Sequence, residues 1–96
     1  RLEQAAREIA EATGAIVVAI PGDVGVEADC IRMVAEARDR LGGYDTLINN
    51  AGIGSFARLL DVTADDMRRV WETNVLGATL MARESARHFV AQQRGH

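Results

Sequence analysis

Apolar positions along the chain fall into two kinds of spacing, and the two kinds alternate. Leu2, Ala5, Ala6 and Ile9 recur at the three-to-four-residue period of a helix face, and Thr13-Gly14 supplies a stop. Residues 15–20 (AIVVAI) form instead a continuous apolar run rich in β-branched side chains. That is the pattern of a strand covered on both faces, as in a parallel sheet, and Pro21-Gly22 closes it. Helical spacing returns from about Glu27 to Leu41, with Ile31, Val34, Ala35 and Leu41 facing inward and Gly42-Gly43 as the stop. Residues 45–49 (DTLIN) read as a second short strand that leads into the loop 50–55. Thr63 then offers an N-cap, with Asp66 three residues on in a box-like start. The helix that follows extends to about Gln92, long enough to predict a bend, and Gly77 marks the place for it.

The order helix, strand, helix, strand, helix predicts an α/β fold: part of a doubly wound, three-layer parallel sheet with crossover helices. Residues 1–96 make one partial dinucleotide-binding domain on this reading, without repeats or low-complexity tracts. The chain opens inside a helical pattern with no cap in front, which leads us to expect that the natural beginning lies upstream.

Composition changes little and excludes several classes. Hydrophobic residues make up 48% and the net charge is -3, as in an ordinary soluble protein. No apolar stretch is long enough to span a bilayer, and no basic segment precedes a short apolar run, so neither a membrane span nor an export signal is expected. The single Cys30 forbids an internal disulfide and points to a reducing compartment, the cytoplasm. All 11 basic residues are Arg, scattered through helical stretches, and they leave no nucleic-acid footprint. His88 and His96 have no cluster of partner ligands, so no metal site is expected.

Residues 52–57 (GIGSFA) match the glycine pattern of a dinucleotide loop in form only. A phosphate-binding loop needs a helix that starts at once, and here the helix waits until Thr63. Asp23 sits at the C-terminal edge of the first strand, where parallel sheets bind ligands, though a turn or cap aspartate has the same look. In Asn49-Asn50-Ala51-Gly52, two short amides can tie a strand end to nearby backbone, and Ala51 and Gly52 leave room for a ligand to approach the main chain. Asn74 is an amide among Val70, Val75, Leu76 and Met81, so it is either satisfied structurally or held for use. Met67, Trp71 and Met81 read as core or helix-packing residues, and Arg68-Arg69 as a solvated helix face.

Taken in order, Asp23-Val24 after a strand, NNAG closing the next, and Asn74 then Gly77 in a long helix resemble the short-chain dehydrogenase/reductase family. The stretches DTLINNAGIG and WETNVLGA are the most specific part, and the likeness covers the whole chain, from the helix after the family's second strand to just before its fifth. The resemblance implies an oxidoreductase that moves hydride between NAD or NADP and a hydroxyl or carbonyl substrate, as a homo-oligomer packed through the long helix. It implies that Asp23 and Val24 meet the adenine, that Asn50, Ala51 and Gly52 border the ribose, and that Asn49 is structural. It assigns Asn74 to the active site, where it bends the helix and holds a water in a proton relay.

The family's reaction also uses a Tyr and, four residues later, a Lys. Here the single tyrosine, Tyr44, is followed at that distance by Ile48, and lysine is absent. Ser55 and Ser85 lie in the wrong contexts for the family's serine. The chain is therefore expected to be an internal piece, inactive alone, with the cofactor preference unreadable. In a sheet ordered 3-2-1-4-5-6 its two strands would be the third and fourth, which are not neighbours, so cooperative folding of the 96 residues alone is not expected. Two other readings stay open: a non-catalytic dinucleotide-binding or regulatory protein of the same fold, and a flavodoxin-like receiver. The second is disfavoured by the missing Lys and by a strand that ends in amides.

Overall fold

A computed structural model describes residues 1–96, and its regular elements are all helical. Helix α1 spans Leu2–Thr13 and α2 spans Glu27–Leu41. Both end where the sequence places a stop: Gly14 and Gly42 each take φ 72°, a left-handed conformation that costs glycine nothing. A single 3₁₀ turn covers Leu59–Asp61, and α3 follows at Ala64–Trp71. The Thr63 hydroxyl accepts from the Asp66 N–H at 3.2 Å, one half of the expected capping box. The other half does not form, because the Asp66 carboxylate leans toward Arg69.

The long helix runs on through α4, Ala78–Gln92, and it ends at the residue the spacing gives. Where a bend at Gly77 is expected, the structure shows an irregular turn in place of a single glycine kink. Glu72–Gly77 is a π-helical turn with Asn74 near its middle, so the distortion spreads over the whole WETNVLG stretch.

The expected sheet is not present. Residues 15–20 and 45–49 are extended, but no ladder joins them and neither is a strand of a sheet. A ladder needs an adjacent strand, and the order expected for this fold sets the two segments apart. One rung of parallel pairing does occur elsewhere. The His96 N–H donates to the Asp45 carbonyl at 2.7 Å, and the Leu47 N–H donates to the His96 carbonyl at 2.9 Å. These two bonds flank Thr46 in the slanted pattern of parallel strands.

The packed part is a corner where α2, α4 and the turn at Val24 meet. Cys30, Val34, Gly77, Leu80 and Ser85 are the five buried residues of 96, too few for a continuous core. The inner face of α2 is Cys30 and Val34, while Ile31 and Leu41, expected inside, are 46% and 44% exposed. Met67 and Trp71, expected to pack, are likewise half exposed. The chain measures 48 × 32 × 20 Å. No helix is long and apolar enough to cross a membrane.

Candidate functional site

An open cleft of about 510 Å³ lies where the ends of both extended segments approach the long helix. Gly22, Asp23 and Val24 form one side, Ala51, Gly52 and Ile53 another, and Arg69 and Thr73 the third. Four of the five expected cofactor contacts thus meet in one place. The fifth, Asn50, does not line the cleft; its N–H closes a tight turn onto the Ile48 carbonyl at 3.1 Å. Gly22, Ile53, Arg69 and Thr73 are not singled out by the sequence.

Asp23 combines both of its readings. Its Oδ1 accepts from the Gly25 N–H at 2.8 Å in a local turn, and its own N–H donates to Asp29 Oδ2 at 2.8 Å. Its Oδ2 has no protein partner and remains free to accept from a ligand. The N–H groups of Val24, Ala51 and Gly52 donate to no protein acceptor either. The residues around the cleft therefore include one carboxylate oxygen and three main-chain N–H groups without a protein partner. The cleft's volume falls within the roughly 300–1,000 Å³ of small-molecule sites.

Asn74 departs from the buried amide that its apolar neighbours imply. It is exposed, and both of its polar atoms are used. Oδ1 accepts from the Ile53 N–H at 2.8 Å, and Nδ2 donates to the Ile53 carbonyl at 2.8 Å. One side chain thus grips one residue's backbone as a second strand would. The same π-helical turn is fixed from two further sides. Asn49 Nδ2 donates to the Ala78 carbonyl at 3.1 Å, which supports its structural reading. Gly77 passes so near the Val24 turn that a Cβ would stand 2.7 Å from the Val24 oxygen. Gly77 is thus required for close approach as well as tolerated in a bend.

Beneath that contact the Cys30 thiol donates to the Val24 carbonyl at 3.1 Å. Burial pushes the thiol up from its ordinary range, and the carboxylates of Asp29 and Asp23 add to this. It stays protonated and packs as a small apolar residue.

Tyr44 is packed against the last turns of α4. Its hydroxyl shares a 2.7 Å hydrogen bond with the buried Ser85, and its ring packs on His88 and Phe89. Gln92 Nε2 donates to the Tyr44 carbonyl at 2.8 Å, and the Tyr44 N–H donates to His88 Nε2 at 3.3 Å. These contacts dock the start of the second extended segment onto α4. Sequence spacing holds no sign of this, because the partners lie more than 40 residues apart.

A family profile described as short chain dehydrogenase matches residues 1–96. A sorbitol dehydrogenase from Cereibacter sphaeroides is 37% identical over 92 residues, which cover 96% of this chain and 36% of that protein. Among solved structures, NAD+-bound xylitol dehydrogenase superposes with a TM-score of 0.90 at 34% identity, over 98% of this chain and 36% of the other. L-Sorbose reductase from Gluconobacter frateurii, complexed with NADPH and L-sorbose, gives 0.89 at 31% identity, over 98% and 36%. The chain therefore spans about a third of the length of these relatives.

Proposed function

The chain belongs to the short-chain dehydrogenase family, and on that premise we propose that it supplies the adenosine side of a cofactor site and one post of a proton relay. The reaction is hydride transfer between NAD or NADP and a small alcohol or carbonyl compound. The bound nicotinamide supplies the hydride chemistry. The observation that carries this reading is the convergence of Asp23, Val24, Ala51 and Gly52 on one cleft, with unpartnered donors and a free carboxylate oxygen.

Within the site the residues divide their work. Asp23 Oδ2 accepts from the adenine amino group, and the Val24 main chain gives a second contact to the ring. Ala51 and Gly52 carry no bulk toward the cleft, so the ribose rests on backbone, with Asn50 shaping the turn beside it. Asn74 acts differently. Its side chain is committed to Ile53, which leaves its carbonyl, in the π-helical turn, as the group that holds the relay water. The π-helical turn and the amide clamp then form one device: the clamp holds the loop while the turn presents main chain. The chain has no Lys, and its one Tyr is occupied by Ser85, so these 96 residues alone are expected to be inactive.

The parent protein is read as a homo-oligomer. Met67, Trp71 and Val75, spaced four apart and each about half exposed, form an apolar stripe along the long helix that suits a second copy. A cytoplasmic location goes with the single protonated thiol. The three relatives are named for polyols and a keto sugar, and that class of substrate is the first to assay.

The test is Asn74→Ala in the protein as its gene encodes it. Turnover is expected to fall by at least ten-fold, with the cofactor dissociation constant changed less than about two-fold. Unchanged turnover would show that the side-chain clamp on Ile53 is not needed to hold the main-chain carbonyl in its relay position. A large loss of cofactor affinity would recast it as a support of the cleft alone.

A further inference from the structure

The cleft has a wall that neither extended segment provides: α3 brings Arg69, and the π-helical turn brings Thr73, four residues on along the same face. Arg69 is the one cationic side chain lining the cleft, and no aromatic side chain lines it. A purine there would find the Asp23 carboxylate and backbone at its edge, and this guanidinium as the one planar group able to cover its face.

The guanidinium is available. Its nearest carboxylate, Asp66, stands at 3.7 Å, beyond hydrogen-bond distance. The neighbouring Arg68 is held by Asp65 at 3.0 Å and takes no part in the cleft. Two adjacent arginines with the same carboxylate spacing therefore differ: one is hydrogen-bonded along its own helix, and the other pairs loosely with Asp66 and lies against the cleft with no hydrogen bond to protein. A planar, weakly hydrated cation suits an aromatic ring carried by an anionic ligand, since it stacks on the ring and draws in the phosphates.

Given the cofactor reading of this cleft, on which the inference rests, we propose that Arg69 is a cofactor-binding residue whose guanidinium stacks on the adenine of the dinucleotide. Asp23 recognises the edge of the ring, and Arg69 covers its face. The side chain thus adds affinity to the adenosine half and none to the nicotinamide half.

The test is calorimetric titration of the protein, as its gene encodes it, with AMP and separately with nicotinamide mononucleotide. Arg69→Ala is expected to weaken AMP about five-fold, as one cation–π contact predicts, and to leave the mononucleotide unchanged. Arg69→Lys is expected to recover less than half of that loss, because an ammonium keeps the charge and lacks the plane. Full recovery by Arg69→Lys would overturn stacking in favour of charge alone. If Asp23→Ala weakens AMP and Arg69→Ala does not, the role of Arg69 is overturned while the cleft keeps its assignment. If the unaltered protein binds no AMP, the cofactor reading fails and this inference fails with it.

Discussion

The two extended segments, 15–20 and 45–49, have similar apolar content and different circumstances. The first is held by two side chains reaching over from α2: Arg40 Nη1 to the Ala19 carbonyl at 3.1 Å, and Arg32 Nη2 to the Pro21 carbonyl at 2.7 Å. The second carries a backbone rung to His96, the Asn49 tie to α4 and the Tyr44 dock. Even so, Ile16 and Ile48 are 87% and 81% exposed, and no residue of either segment is buried. A helix closes its own hydrogen bonds and needs a neighbour only for packing. A strand needs a neighbour for both.

The contrast between helices and segments is tested most directly by heating the 96-residue chain. With five buried residues and two segments that hold none of them, its far-ultraviolet signal should decline over a broad range without a sharp transition. A steep melt as a monomer would mean that the segments are better supported than their contacts indicate.

Single substitutions probe the contacts of each segment, and they are read in the protein as its gene encodes it. Gly77→Val drives a side chain into the Val24 turn and is expected to cost about 3 kcal/mol in urea unfolding. A midpoint equal to that of the unaltered protein would show that the helix can withdraw from the turn freely. Asn49→Ala removes one hydrogen bond that anchors the second segment, and a loss of about 1 kcal/mol is expected. Faster amide exchange at Leu47 should accompany it, and unchanged exchange would assign the anchoring to Tyr44. Arg40→Ala touches an exposed side chain beside the first segment, and a change below about 0.5 kcal/mol is expected. A larger effect would reveal that the arginine, rather than packing, holds that segment in place.

How much of the structure is legible in the sequence depends on the range of each interaction. The ends of α1 and α2, the Thr63 cap and the stop at Gln92 depend on residues within a turn, and their positions are legible. The facing of α2 is legible only to within one position, because Cys30 and Ile31 are neighbours and apolarity favours the wrong one. The strands are recognised by composition, but pairing is a relation between segments that a single run does not encode. The Asn74 clamp and the Tyr44–Ser85 bond span 21 and 41 residues, and no local pattern announces either. The cleft lies between these extremes: resemblance supplies Asp23, Val24, Ala51 and Gly52, while Arg69 and Thr73 emerge only when the helix is set beside the loop.

The rung between residue 46 and His96 bears on the order of events in folding. Bringing the ends of some 50 residues together costs an entropy that grows with the logarithm of the span, and two hydrogen bonds offset it poorly. The long helix changes the problem. As a stiff rod it carries Ser85, His88 and Gln92 to Tyr44, and that dock already spans most of the large loop. Only the few residues after Gln92 then stay free to search for the rung. Tyr44 thus acts as a latch on the long helix, and the rung at residue 46 sets the register in which any strand would pair with residues 45–49.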